Sequence, residues 1–241
     1  MTGALTSRQT QILKSIIEEF IATATPVGSN ALEKKYNLGI SPATIRAEMV
    51  NLTAMKYLKQ PHTSSGRIPT PMAMKFYINQ LMEEKQLGVV DEVQAKEQVA
   101  SAKDDFDKLM SNATQALANK THSLAVAATD EGDVWRAGMK NVFDNPEFET
   151  LEVCQRIFSM IEEANLVHEL FFERLTGMSP VEILFGQELS WPMLSDLGVV
   201  ATRFDINGRH GAIGVIGPFR QAPNMIPSVR YFRTLLEELL V

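Results

Sequence analysis

The sequence predicts an α+β protein in which helices pack against a small antiparallel sheet. Over most of the chain, apolar residues recur every three or four positions, as they do in amphipathic helices. Near the C-terminus, three short apolar segments over 181–185, 199–206 and 212–216 are typical of strands. Asn207-Gly208 between the last two predicts a β-hairpin. A length of 241 residues, 45% of them hydrophobic, suits one large or two modest domains.

The first 58 residues predict three helices. Thr6-Ser7-Arg8-Gln9 is a capping box before an apolar helical stripe. Ser29 is expected to cap the second helix, and Ser41-Pro42 predicts the third, with serine as cap and proline at the first helical position. The segment 59–70 is small, polar and interrupted by glycine and proline, as hairpins are. Three helices followed by a hairpin are the plan of a winged helix-turn-helix domain.

The remaining two thirds predict further helices around the sheet. They are expected after Thr70-Pro71, as one long amphipathic helix over 91–119, after Asn145-Pro146, through 166–171 and over 228–240. A loose alternation over 122–128 predicts one more strand. We therefore divide the chain into a winged helix-turn-helix domain (1–71), linking and amphipathic helices with a candidate dimer contact (72–120), and a regulatory body (121–241).

Composition excludes several classes of protein. No apolar run approaches the roughly 20 residues that a membrane helix needs. The N-terminus has neither a basic start nor an apolar segment after it, so no signal peptide is expected. A single cysteine, Cys154, excludes an internal disulfide framework and fits a reducing compartment. These features predict a soluble cytoplasmic protein.

The charge is unevenly distributed along the chain. Residues 1–70 contain eight lysines and arginines against four carboxylates, whereas the whole chain contains 23 basic and 29 acidic residues. A basic first third attached to an acidic body indicates that the first third meets a polyanion. The alternative is a chance cluster of charges on a solvated face, and charge alone leaves the two about level.

The third predicted helix has the pattern of a DNA recognition helix. Four residues lie roughly opposite its inward-facing Ile45: Ala43, Arg46, Ala47 and Val50. In a helix-turn-helix, this surface enters the major groove. Arg46 can pair with guanine or phosphate, and the small Ala43 and Ala47 allow contact with thymine methyl groups. Ser41 and Thr44 suit phosphate oxygens. The alternative is an ordinary amphipathic helix with a wet outer face.

The predicted hairpin adds a second candidate contact. Gly66 and Arg67 are expected at its tip, from which an arginine can reach a minor groove or hold the phosphate backbone. His62, Ser64 and Ser65 belong to the same wing, where His62 and Ser64 can add phosphate contacts. A solvated turn is the alternative. Because the hairpin directly follows a candidate recognition helix, the pair favours DNA binding.

Several motifs closely resemble those of the bacterial heat-inducible transcription repressor family HrcA. They are Leu5 to Lys14, Pro26-Val-Gly-Ser29, Gly39-Ile-Ser41, Ser41-Pro-Ala-Thr-Ile-Arg46, Gln60 to Thr70, Asn145-Pro-Glu-Phe148 and Gly214-Val-Ile-Gly-Pro218. The resemblance is dense over residues 5–81 and patchy from 141 onward. The motif over 60–70 is long and specific, so it carries most of the weight.

The resemblance implies a fold, a function and partners. Family members join a winged helix to a GAF-like domain that contains an inserted dimerisation domain. They bind an inverted repeat in double-stranded DNA upstream of chaperone operons as a homodimer and block transcription. Heat inactivates them, and the chaperonin GroEL restores active repressor. By this resemblance, residues 121–241 form the GAF-like regulatory domain of a cytoplasmic, nucleoid-associated stress-response repressor.

Two departures from the family pattern bear on these expectations. Ala47 stands where the family usually has asparagine, so one base or phosphate contact is missing from the expected interface. The chain is also shorter than is usual by about the size of a small domain, with the gap falling around 129–138. We infer that the inserted domain is absent and that a dimer uses other surfaces, such as the helix over 91–119.

Other functions receive less support from the sequence. One alternative is a metabolite-responsive regulator whose GAF-like domain senses a ligand, and another is an interaction module that has lost DNA binding. The four histidines are isolated from any metal-ligand pattern, and no serine, cysteine or threonine has the surroundings of a nucleophile. We therefore expect no enzyme, no metal and no cofactor.

Overall fold

The chain divides into two compact units, Met1–Glu83 and Glu84–Val241. The structure is a computed structural model, and it describes residues 4–83, 85–148, 150–186, 188–189, 194–206 and 208–240. The proposed division of the chain at 71 and 120 concerns roles rather than packing, and it stays a prediction. Among the described residues, no helix combines the length and the apolar character that crossing a membrane requires.

The first unit consists of helices and one short hairpin. Its elements in order are α1 (Ser7–Thr23), α2 (Ser29–Lys35), α3 (Pro42–Ala54), β1 (Leu58–Lys59), β2 (Ile68–Pro69) and α4 (Pro71–Phe76), which continues as a π-helical turn (Tyr77–Leu81). β1 and β2 are antiparallel, with Leu58 opposite Pro69. Apolar side chains of α1, α2 and α3, such as Ile16, Leu32 and Ile45, are fully buried and form the core.

The helix starts of the first unit follow the sequence closely, with one exception. The capping box of α1 is confirmed, since Thr6 Oγ1 accepts from the Gln9 amide at 3.2 Å and Gln9 Oε1 accepts from the Thr6 amide at 3.0 Å. Ser41 caps α3 as predicted. Ser29 does not cap α2. Gly28 takes the extended cap conformation, and its carbonyl accepts from the Leu32 amide, so Ser29 is the first helical residue.

The second unit is built around a five-stranded sheet. Its elements are α5 (Val89–Ala100), α6 (Phe106–Thr121), β3 (Leu124–Thr129), β4 (Val134–Ala137), α7 (Leu151–Glu162), α8 (Ala164–His168) with a π-helical extension (Glu169–Arg174), β5 (Glu182–Phe185), β6 (Leu197–Ile206), β7 (Arg209–Pro218) and α9 (Ala222–Leu239). All strand pairs are antiparallel, in the order β4–β3–β7–β6–β5. The predicted α+β class is therefore confirmed.

Both faces of this sheet are covered. α6 and α9 pack on the strands and on each other, and α5 packs on α6. A second apolar core joins the strands to α7, α8 and the π-helical extension, with Phe171, Ile157 and Val199 fully buried in it. Because helices cover both faces, the strands read as nearly continuous apolar runs; β3 is buried at all six positions.

Three details of the second unit differ from the sequence-based expectations. The single helix predicted over 91–119 is two helices, because Asp105 accepts from the Lys108 amide and caps a new helix after the turn at 101–105. β4 was not predicted. It pairs with β3 and lies within 129–138, the segment where residues are expected to be missing relative to the family. Helical spacing in the segment after Asn145-Pro146 predicts that Leu151 faces inward with Cys154 and Ile157, but Leu151 is 70% exposed. Asn207 lies outside the described residues, but Ile206 and Arg209 on either side of it are paired.

Candidate nucleic-acid interface

The outer face of α3 carries the residues that the sequence assigned to it. Ala43, Arg46, Ala47 and Val50 are all exposed, and Val50 is 54% exposed although it is apolar. The opposite face contributes Ile45, Met49 and Leu52 to the core. The outer face of α3 is therefore open to solvent and carries one charged and one branched apolar side chain, Arg46 and Val50.

Glu48 fixes α3 against the start of α1. Its carboxylate forms an ion pair with Arg8 at 3.0 Å and accepts hydrogen bonds from Gln9 Nε2 at 3.1 Å and Asn51 Nδ2 at 3.2 Å. The hydrogen bond from Asn51, followed by those from Gln9 and Arg8 and the charge of Arg8, lowers the pKa of Glu48 below 4.5 despite its burial. This cluster holds the outer face of α3 in a fixed orientation.

The start of α3 offers fewer free donors than expected. Ser41 Oγ accepts from the Thr44 amide at 3.2 Å and lies 3.0 Å from Thr44 Oγ1, while the Ser41 carbonyl accepts from the Ile45 amide. Pro42 has no amide hydrogen. The Ser41 hydroxyl therefore serves first as a cap, and Thr44 is half-buried beside it.

The tip of the hairpin is a turn closed by two polar side chains. The Ser65 hydroxyl donates to the His62 carbonyl at 2.7 Å and accepts from the His62 amide at 3.0 Å. Gln60 Nε2 donates to the carbonyls of Thr63 at 2.8 Å and Ser65 at 3.1 Å. His62, Thr63 and Ser64 are exposed at this tip. The Ser65 hydroxyl, expected in the interface, is engaged in closing the turn.

Gly66 and Arg67 do not lie at the tip, which corrects the sequence-based expectation. The backbone of Arg67 forms a two-way β-bridge with Val27, with both hydrogen bonds at 2.9 Å. A Cβ at Gly66 would lie 2.4 Å from the Val27 carbonyl oxygen, so only glycine allows this approach. The base of the hairpin is thereby fastened to the segment between α1 and α2, a long-range pairing that local sequence does not reveal.

The Arg67 side chain points back to the end of α3. Its Nε donates to Thr53 Oγ1 at 3.1 Å, and its Nη1 lies 3.5 Å from the Ser65 carbonyl oxygen. The Thr53 hydroxyl itself donates to the Met49 carbonyl at 2.7 Å, so it accepts from Arg67 with its remaining lone pairs. The role of Thr53 is not visible in the sequence because this contact spans 14 residues.

Residues of α3 and the hairpin line an open groove of about 320 Å³. Arg46 and Arg67 both line it, together with Gln60, Thr63 and Ser64, of which Gln60 and Thr63 were not predicted. Among the described residues, Arg46 has no hydrogen-bond or ion-pair partner, and it is exposed. Two uncompensated arginines beside exposed polar groups give the groove a positive character that suits phosphate.

Ion pairs offset three of the basic residues of the first unit outside this groove. Three of the four carboxylates in residues 1–70 each face one cation away from it: Glu48 faces Arg8, Glu18 faces Lys14, and Glu19 faces Lys35. Since these pairs cancel locally, the net positive charge is carried by the remaining cations, which include both groove arginines. In the described part of the chain, no group of three metal-ligating side chains occurs.

The architecture recurs in a solved protein. A structure titled "Crystal structure of a hypothetical protein at 2.2 A resolution" matches 98% of this chain and 99% of its own, with a TM-score of 0.79 at 17% sequence identity. The likeness defines the class of this protein: a two-unit α+β chain with helices and a hairpin before a helix-covered antiparallel sheet.

The family model described as "HrcA protein C terminal domain" matches residues 70–222, and the chain belongs to the HrcA family. A protein of Desulforudis audaxviator named "Heat-inducible transcription repressor HrcA" is 26% identical over an aligned length of 313 residues, covering 88% of this chain and 91% of that protein. The protein of the same name from Chloroflexus aurantiacus is 38% identical over 237 residues, covering 98% of this chain and 59% of that protein.

Two consequences follow from these matches. The family consists of transcription repressors, so the expectation that the chain is not an enzyme is confirmed. The aligned length of 313 residues exceeds the 241 residues of this chain, so the Desulforudis protein contains segments without a counterpart here. This supports the expectation of a missing internal segment.

Proposed function

We propose that this member of a repressor family is a sequence-specific DNA-binding repressor of heat-shock chaperone operons. It binds an inverted-repeat operator as a homodimer and is released on heat stress, with GroEL as the partner that restores it. The observation that carries the proposal is the exposed Arg46 on the outer face of α3, which has no partner among the described residues and lines a groove together with a hairpin that is bridged to Val27.

In this proposal, the first unit is a winged helix-turn-helix domain whose α3 enters the major groove. Arg46 pairs with the acceptor edge of a guanine, and Ala43 and Ala47 approach thymine methyl groups. Val50, which is 54% exposed in the free protein, becomes covered by the DNA. Since Ala47 replaces the asparagine that is usual in the family, recognition at that base pair rests on apolar contact alone.

The hairpin acts as the wing and holds the phosphate backbone. The exposed His62 and Ser64 contact phosphates, while Ser65 and Gly66 give the turn and its base their shape. Arg67 supplies positive charge on the wing side of the groove. Ser41 and Thr44 border the DNA at the start of α3, where the helix dipole favours a phosphate.

Residues 121–241, which belong to the second unit, act as a GAF-like regulatory domain. Twenty buried apolar residues fill the space between the sheet and α7 and α8 in the described part of the unit. That packing supports a role in assembly and stability. The alternative role is that of a metabolite sensor, which needs a pocket with a few convergent polar groups.

We place the dimer contact in α5. Three of its residues are unusually exposed for valine, namely Val89 (75%), Val90 (70%) and Val93 (50%), and they lie on the first two turns of the helix. A twofold contact through this strip would bury apolar surface that water now covers. Sedimentation at micromolar concentration should give a dimer that Val90→Asp converts to a monomer; a wild-type monomer would contradict the assignment.

A salt titration of DNA binding tests the proposed function. The full chain is titrated into a duplex carrying an inverted repeat from upstream of a chaperone operon, and into a scrambled duplex of equal length and composition. The proposal predicts repeat-selective binding that weakens steeply with salt, because phosphate contacts release counterions. Equal, weak binding to both duplexes would refute it.

A further inference from the structure

We infer that Thr53 is a positioning residue for DNA binding, because its hydroxyl holds the guanidinium of Arg67, a residue that lines the groove between α3 and the wing. The inference rests on the proposed function and adds to it a residue outside the predicted interface. Its basis is a continuous chain of hydrogen bonds from the backbone of α3 to the wing.

The first link fixes the hydroxyl of Thr53. It donates to the Met49 carbonyl at 2.7 Å, one helical turn earlier, and so its hydrogen is committed to the helix. The lone pairs that remain face Arg67, whose Nε donates to them at 3.1 Å. Since Thr53 is β-branched and sits in the helix, its side chain has few alternative rotamers. The acceptor for Arg67 is therefore nearly immobile.

The second link fixes the base of the Arg67 side chain. Its backbone amide and carbonyl both pair with Val27 at 2.9 Å, and the neighbouring Gly66 lies against the Val27 backbone. A side chain that is anchored at its backbone and again at Nε keeps little rotational freedom. A free arginine loses much rotamer entropy when it is immobilised, so for Arg67 a large part of that loss precedes DNA binding.

The third link leaves the far end of the guanidinium available. Nε and Nη1 have the acceptors named above, whereas Nη2 has no hydrogen-bond acceptor among the described residues. The half-buried Arg67 lines the same groove as the exposed Arg46. Its Nη2 edge is therefore held ready for a phosphate oxygen, and Thr53 acts on DNA through Arg67 without touching it.

The test separates orientation from charge. Thr53→Val removes the acceptor but keeps the shape of the side chain and the positive charge of Arg67. We expect it to weaken binding to the inverted-repeat duplex about three- to tenfold, in line with the loss of one orienting hydrogen bond, and to leave the salt slope unchanged. Arg67→Ala should weaken binding more and lower the slope by about one. Thr53→Ser should restore most of the affinity.

Matched controls and a double variant complete the design. Thr121 of α6 also donates to a carbonyl one turn earlier, at 2.8 Å, but no arginine in the described part of the chain bonds to its hydroxyl, so Thr121→Val should not change affinity. In the double variant, Thr53→Val should add nothing to Arg67→Ala, because its only route to DNA has been removed.

Three results would overturn the inference: wild-type affinity in Thr53→Val, additive effects in the double variant, or a loss in Thr53→Val that Thr53→Ser does not restore. Each leaves the proposed function intact, since that fails only when the wild-type chain does not distinguish the repeat from the scrambled duplex.

Discussion

Arg203 and Arg220 in the second unit have the opposite environment from Arg46 in the first unit. In the second unit, Arg203 donates to the carbonyls of Phe171 at 2.8 Å and Leu175 at 2.6 Å, and so fastens the π-helical extension to β6. Arg220 is 9% exposed and pairs with Glu147. In the first unit, Arg46 is exposed and has no partner among the described residues.

This difference in burial and pairing shows that one residue type can stabilise the fold at one position and be free to bind a ligand at another. A buried guanidinium donates hydrogen bonds to carbonyls or pairs with a carboxylate. When it is removed, those groups stay buried without a partner, and their desolvation destabilises the folded state. An exposed guanidinium on a fixed helix is nearly neutral for folding, and its donors stay free for a ligand. Removing Arg203 or Arg220 should therefore destabilise the second unit, whereas removing Arg46 should only weaken binding by the first.

The largest effect is expected from Arg220→Ala. The substitution leaves Glu147, whose side chain is 17% exposed, without its cation, and we expect the free energy of unfolding to fall by about 3–5 kcal/mol. Urea unfolding followed by tryptophan fluorescence measures this, since both tryptophans of the chain belong to the second unit. Arg156→Ala is the control, because Arg156 forms an exposed pair with Glu152 and should cost under about 0.5 kcal/mol. Equal losses in both variants would contradict the comparison.

Gly66→Ala should give the next largest effect, in the first unit. The added methyl group would lie 2.4 Å from the Val27 carbonyl oxygen, so the hairpin must move, at a cost of about 1–3 kcal/mol. Hydrogen exchange of the Val27 and Arg67 amides, which bond across this bridge, reports the opening. Gly28→Ala is the control, since nothing lies within 4 Å of its added Cβ. Unchanged protection in Gly66→Ala would argue against a rigid wing.

Arg46→Ala should lower DNA affinity without lowering stability, in contrast to Arg220→Ala. We expect it to cost about 1–3 kcal/mol of affinity for the inverted-repeat duplex, while the free energy of unfolding changes by less than about 0.5 kcal/mol. Fluorescence anisotropy of the duplex and urea unfolding measure the two quantities. Lys34→Ala removes an exposed charge from α2 without lining the groove, and it should affect affinity much less. A stability loss as large as the affinity loss would mean that Arg46 also supports the fold.

The smallest effect is expected from Glu48→Gln, as a change in the pH dependence of the free energy of unfolding. Because hydrogen bonds from Asn51 and Gln9 and the contact with Arg8 lower its pKa, the carboxylate stabilises the fold above its ordinary value of 4.5. That stabilisation is lost as the pH falls through the lowered pKa. We expect Glu48→Gln to cost about 1 kcal/mol near neutral pH and almost nothing once the wild-type carboxyl is protonated. Thermal unfolding by circular dichroism across that range, with the exposed Glu33→Gln as control, measures the difference. A loss that is independent of pH would point to packing instead.

The local features of the first unit could be predicted from the sequence. The caps at Thr6 and Ser41 depend on contacts within three residues, and the inward face of α3 follows from helical spacing.

Two features of the second unit were not predicted. The split of the predicted helix at 101–105 was missed, although Asp105 at the start of α6 was a usable signal. β4 was missed because it is only four residues long and is stabilised by its pairing with β3.

By itself, the sequence determined the class of fold, the family resemblance, the outer face of α3 and the concentration of basic residues in the first third. These follow from short-range periodicity, capping chemistry and composition. Only the tertiary structure decided that Gly66 and Arg67 lie at the base of the wing, that Thr53 holds Arg67, and that Glu48 joins α3 to α1. Each of these contacts joins residues 14 to 40 positions apart, and their approach depends on how the helices pack rather than on any local pattern.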